Sequence, residues 1–209
     1  MKDFLEEKLS SILPIIQARI MENTTWFGVK TLKNPFDFWV YQEILYQQQP
    51  DFIIEIGVRF GGSTLALGQL CELIGKGKVI GIDISLADVS ERVWGHPRIN
   101  LVEGDACSLV DEIKGLIPEG GNVLVIEDSS HTFENTLNVL QKYSTFIPVG
   151  GYFIVEDGIC HHGLNTGPKP GPYEATEAFI KETPNFIIDS QKEDFLVTWN
   201  PHGYLRRIF

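Results

Sequence analysis

Cysteine, basic charge and long apolar runs are all scarce in this chain. Its three cysteines, Cys71, Cys107 and Cys160, stand far apart with no CxxC pair, which argues against a disulfide framework and a zinc ribbon. Lysine and arginine number 17 against 28 acids, for a formal net charge of -11. The basic stripe that a nucleic-acid backbone demands is therefore missing. No apolar stretch comes near the ~20 residues of a membrane-spanning helix. The opening MKDFLEEKLS carries acids where a secretion signal has bases followed by an apolar block. The expectation is a cytoplasmic protein with a small-molecule partner, no nucleic acid and no membrane span.

What is present suffices for one substantial core: 209 residues, 43% hydrophobic and 22% charged. The first fifty residues read as a helical segment, a cap or an oligomer contact, preceding a main domain over 51–209. Leu5, Leu9, Ile12 and Ile16 share one helical face, and this apolar face points to a homo-oligomer. Pro14 predicts a kink there or two short helices. A second helix is expected in NPFDFWVYQEILYQQQ, with Phe38, Tyr41 and Leu45 near helical spacing and Pro35 near its start. TTWFGVKTLKNP between them reads as a loop.

From residue 52 short β-rich runs alternate with helical ones: DFIIEIG, STLALGQLCELIG, KVIGIDI, RINLVEGD, NVLVIEDSS, TFENTLNVLQKYSTFI and GYFIVED. Near-continuous Ile, Val and Leu in the strands predicts a parallel sheet covered on both faces. NFIIDSQKEDFLVTWN reads as an antiparallel hairpin. Together these give an α/β class, a Rossmann-like methyltransferase fold with a mostly parallel seven-stranded sheet, an antiparallel C-terminal hairpin and helices on both faces.

Ligands in such sheets bind at the carboxyl ends of the strands. Here every predicted parallel strand ends at or beside an acid: Glu55, Asp83, Asp105, Glu127-Asp128 and Glu156-Asp157. EIGVRFGGST puts Gly57, Gly61 and Gly62 in the first strand-to-helix turn, where glycine admits a ligand to the backbone and helix amides receive an anion. Arg59 stands where a GxGxxG fingerprint has its second glycine, so the turn suits a carboxylate better than a pyrophosphate. Asp83 is placed to accept from ribose hydroxyls, Asp105 with Ala106 to border an adenine, and Glu55 to meet an ammonium. The set points to S-adenosylmethionine rather than NAD.

Adjacent strands lie ~4.8 Å apart, so acids from two strand ends can meet on one ion. Asp128, Glu156 and Asp157 form an all-oxygen set suited to Mg²⁺. His131 follows Asp128 by three residues. A helix N-terminus there keeps its imidazole neutral, the state a general base needs. His161 and His162 lie in a loop, with contact to metal or substrate left open.

At this point TWFGVKTLKNPFDFWVYQEIL, EIGVRFGGS, VIEDSSHTFENTLNVLQKY, GGYFIVED and NPHGYLRRIF together resemble the cephalosporin hydroxylase/rhamnosyl O-methyltransferase family, from about Thr25 to Phe209. The resemblance implies a Mg²⁺-dependent, S-adenosylmethionine-dependent O-methyltransferase acting on sugar hydroxyls or antibiotic-like scaffolds. It implies metal ligation by Asp128, Glu156 and Asp157, a cofactor turn over Gly57–Ser63 and a ribose acid at Asp83. Catechol-type methyltransferases imply a base at His131. GICHHGLN, after Asp157, departs from the family pattern and leaves the acceptor open. The alternatives are a nicotinamide-dependent oxidoreductase, which the missing fingerprint glycine disfavours, and a non-catalytic S-adenosylmethionine-binding protein, which the intact acids disfavour.

Overall fold

Alternating apolar runs and helices become a seven-stranded sheet sandwiched between helices in the computed structural model, which describes residues 6–209. In chain order the elements are α1 (Leu9–Asn23), β1 (Thr25–Trp26), β2 (Val29–Lys30), α2 (Pro35–Gln48), β3 (Phe52–Ile56), α3 (Gly62–Ile74), β4 (Lys78–Asp83) and α4 (Glu91–Trp94). They continue with β5 (Ile99–Glu103), α5 (Val110–Leu116), β6 (Val123–Glu127), α6 (Phe133–Tyr143), β7 (Tyr152–Val155), α7 (Pro172–Glu182), β8 (Phe186–Ile188) and β9 (Tyr204–Arg207). The sheet order is β5-β4-β3-β6-β7-β9-β8, with β3 to β7 parallel and β9 antiparallel to both its neighbours. The chain reverses its strand order beside β3, so the carboxyl ends of β3, β4 and β6 border the crevice where such sheets bind ligands.

Side-chain alternation fixes the register. Ile53, Leu124 and Ile154 pack with Val40, Tyr41, Ile44 and Leu45 of α2 and Leu67 and Cys71 of α3. Ile54, Val125 and Phe153 face the other way, onto Ile113, Val139, Leu140, Tyr143 and Phe179 of α5, α6 and α7. A slip of one residue would turn both sets over, and each fully buried Ile, Val or Leu is worth roughly 1.5–3 kcal/mol. The same parity turns Glu55 and Glu156 toward the α2 and α3 side, and Glu127 toward the α6 side. Among the described residues no helix is long and apolar enough to cross a membrane.

The N-terminal half departs from expectation in its first helix and in the segment that follows it. Leu5 lies outside the described residues. Pro14 sits inside one unbroken helix, α1, whose buried residues are Leu13 and Ile20, while Leu9 is 48% exposed. That buried edge packs on Ile159, Leu164 and Trp199 with Ile16 beside it, so the inward face is turned from the expected one and keeps Ile16 of it. TTWFGVKTLKNP is no plain loop, since β1 and β2 pair as a small hairpin. Helix α2 forms as predicted, with Asn34 accepting from Phe36 N and Pro35 in the first turn.

The C-terminal hairpin also forms, but not from the expected halves. β8 falls within NFII, whereas its partner is Tyr204–Arg207 rather than FLVTW, and it inserts between β7 and β8. Residues 195–199 are diverted from the ladder: Thr198 Oγ1 and Trp199 N both donate to the buried Asp37 carboxylate.

Candidate active site

The turn after β3 is shaped by close approach as well as by ligand access. Gly57 has φ +98°, and a Cβ there would lie 1.9 Å from the Asp128 carbonyl oxygen. The β3 and β6 strand ends are therefore in backbone contact. Gly62 opens α3 beneath the N-terminal hairpin, where a Cβ would meet Thr31 Oγ1 at 2.0 Å and Lys30 O at 2.3 Å. Its glycine is required by β2, a neighbour the sequence pattern did not reveal. Gly61 packs under Val93, and Ser63 borders the cavity that also holds Lys33 and His131.

Asp83 Oδ2 accepts the Val58 and Arg59 amides at 2.9 and 2.8 Å, and Oδ1 accepts Ser85 N at 3.2 Å. A carboxylate has room for further donors, so Asp83 can brace the turn and still receive a ribose hydroxyl. Asp105 accepts from Cys107 N and Ser108 Oγ. Asp83, Asp105, Ala106, Gly57 and Arg59 line one cavity of about 390 Å³, a size usual for small-molecule sites. Glu55 is not in it. This side chain is fully buried behind α3, held by Thr64 Oγ1, with Oε1 unpartnered.

A second cavity, of about 350 Å³, is bordered by Lys33, His131, Asp157 and Trp199 and shares Gly57, Arg59, Asp128 and Ser129 with the first. Asp128, His131 and Asp157 each offer one ligand atom, all within 4.8 Å of one another. His131 Nε2 lies 3.3 Å from Asp157 Oδ2 and 4.0 Å from Asp128 Oδ1. This donor set fits a divalent cation. Glu156 is directed differently from its expected place on the ion. It points to the opposite face from Val155 and meets Lys33 Nζ at 2.7 Å, while Lys33 also pairs with Asp128 Oδ2. Strand alternation carries into Glu156, and Asp157, at φ +57°, turns the chain back toward His131.

Burial pushes the Asp128 and Asp157 carboxyls upward, with Lys33 and His131 opposing it. Burial and the Asp128 charge bring Glu156 up to about 7. For Lys33, burial acts to lower the pKa, but Asp128 and Glu156 outweigh it and raise the ammonium above the usual lysine range. His131 corrects a prediction. It precedes α6 in a left-handed turn, φ +56°, outside the helix. Burial lowers its pKa, but Asp157, Asp128, Glu127 and Glu156 prevail and raise it, so nearby acids and not a helix terminus set its charge. His161 and His162 face away from this cluster, onto Gly167 O and the Glu174 carboxylate.

Three further residues complete the cluster, and the sequence reading assigned none of them to it. Lys33 reaches it from the segment between β2 and α2. Tyr41 lies beside Glu156 and accepts from Asn200 Nδ2 at 2.8 Å. Asn200 Oδ1 accepts the Asp157 amide at 3.2 Å. Lys33 and Tyr41 both lie in TWFGVKTLKNPFDFWVYQEIL, and Asn200 opens NPHGYLRRIF. Those two runs were read as resemblance without a chemical role.

A mostly parallel sheet of this order, with β9 inserted antiparallel and a glycine turn over a strand-end acid, is the Rossmann-like methyltransferase fold. The chain belongs to the Rhamnosyl O-methyltransferase/CmcI family, whose family model matches residues 18–208. It is 34% identical over 195 residues to the rhamnosyl O-methyltransferase of Mycobacterium tuberculosis (strain ATCC 25618 / H37Rv), covering 90% of this chain and 80% of the relative. The Mycobacterium leprae (strain TN) protein of the same name is 35% identical over 199 residues, covering 90% and 85%. A solved CmcI structure in a Mg-SAM form superposes with a TM-score of 0.71 at 26% identity, over 89% of this chain and 77% of that one. An O-methyltransferase from Bacillus cereus in complex with SAH shares the fold, with a TM-score of 0.57 at 18% identity over 99% and 94%.

Proposed function

We propose that the protein transfers the methyl group of S-adenosylmethionine to a hydroxyl of a small molecule, a sugar or an antibiotic-like scaffold, with the aid of Mg²⁺. The observation that carries this reading is the meeting of two cavities at Asp128: one would take the cofactor, and the other would be left for the acceptor. The names of the mycobacterial relatives and the Mg-SAM form of CmcI support the substrate class and the ion.

Asp83 would hold the ribose, Asp105 and Ala106 would border the adenine, and the Gly57 turn would face the amino-acid end. Asp128 and Asp157 would hold the cation, with Glu156 kept on Lys33. When bound, the cation would supply a positive centre that offsets the acids and lowers the pKa of an acceptor hydroxyl. His131 would take the hydroxyl proton at the ring nitrogen that Asp157 does not engage, while Asp157, 3.3 Å from Nε2, would fix the ring for that role. The acceptor oxygen bonds to the methyl carbon as the carbon–sulfur bond breaks, in line.

Calorimetric titration with S-adenosylhomocysteine and, separately, NAD tests the cofactor. Binding of the first alone is expected, and its absence would overturn the proposal. Methyl transfer by Asp128→Asn should fall about a hundredfold or more, to the level of the parent in EDTA. Unchanged transfer would remove the cation from the reading.

A further inference from the structure

We propose that Lys33 is a resident counter-cation of the acid cluster and sets the cluster's affinity for a divalent cation. The inference rests on the reading of Asp128 and Asp157 as the ligands of that cation. Lysine is rarely enclosed, yet Lys33 is 7% exposed. Its ammonium carries three donors and contacts two acids at once, Glu156 Oε1 at 2.7 Å and Asp128 Oδ2. Asp128 Oδ1 is left to face His131 and Asp157. Lys33 thus engages one oxygen of each acid, Asp128 Oδ2 and Glu156 Oε1.

The backbone that delivers this lysine is anchored on both sides. Thr24 Oγ1 donates to Thr31 O, Gly62 packs against Lys30 and Thr31, and Asn34 caps α2 immediately afterwards. Three acids, Asp128, Glu156 and Asp157, converge here against Lys33 and the His131 imidazole. With Lys33 neutral, the same acids would repel one another more strongly and attract a divalent cation more strongly. A lysine that only braced the fold would produce the first effect without the second.

The test is isothermal titration of Mg²⁺ into parent, Lys33→Gln and Lys33→Arg, with melting curves in EDTA and in Mg²⁺. Lys33→Gln should bind Mg²⁺ about tenfold more tightly. It should melt lower than the parent in EDTA and recover most of that loss in Mg²⁺. Lys33→Arg keeps the charge and should stay within about threefold of parental affinity. If Lys33→Gln does not fold, Lys33→Arg decides, and a tenfold change in its affinity would refute the role. Parental Mg²⁺ binding with no gain in Lys33→Gln refutes it too, leaving the cation site intact. Absence of Mg²⁺ binding in every protein would overturn the cation site itself, and this inference with it.

Discussion

The acids at the ends of β4 and β5 and those at the ends of β6 and β7 look alike in sequence but are balanced by different means. Asp83, Glu103 and Asp105 are half-buried or exposed, and all three accept from backbone amides. Asp128 and Glu156 are opposed by a side-chain cation, Lys33, and Asp157 faces the His131 imidazole. Amides fix a shape and cannot be exchanged. Cations can be displaced by another cation. A strand-end acid is therefore a scaffold in one half of the site and a candidate for ion binding in the other.

Gly57 lies on the seam between these halves, so its substitution should have the largest effect. Gly57→Ala places a Cβ against the Asp128 carbonyl in a left-handed backbone. A stability loss of about 3 kcal/mol or more is expected from the urea midpoint, and a loss under about 0.5 kcal/mol would show that β3 and β6 can part. Asp83→Asn probes the amide-balanced half alone. One amide oxygen cannot serve three backbone donors and a ribose, so S-adenosylhomocysteine should bind about tenfold more weakly by calorimetry, with Mg²⁺ affinity unchanged.

Glu127→Gln gives the smallest effect and isolates a buried acid that is opposed by no direct cation. Burial pushes Glu127 up to about 8 from 4.5. The unfolded chain therefore releases this proton first, and the native state loses ground as pH rises from about 4.5, levelling off above about 8. The variant should be more stable than the parent at pH 8 and no more stable at pH 4, where the parent carboxyl is protonated in both states. Equal pH profiles in denaturant melts would show that Glu127 is not held protonated.

The sheet was legible because burial on both faces leaves uninterrupted apolar strands, and the glycine turn because few residues tolerate its backbone. Asp128, Asp157 and His131 were legible by their place just beyond strand ends. Lys33 was not, because its partners lie far along the chain and no local pattern marks a lysine as enclosed. The second half of the terminal hairpin was misplaced for a related reason: Phe195 to Trp199 have strand-like composition, but the distant Asp37 claims their donors. His131's charge was misread because a helix terminus is visible in sequence, whereas convergence of four acids is not.

Asn200 gives the site an order of assembly. On a ribosome the Asp157 turn emerges well before Asn200, and β7 emerges before β9, the strand that flanks it. Until residue 200 has emerged, the Asp157 amide and the Tyr41 hydroxyl lack their Asn200 partner. The Asp157 turn thus takes its final anchor from the last tenth of the chain to be made.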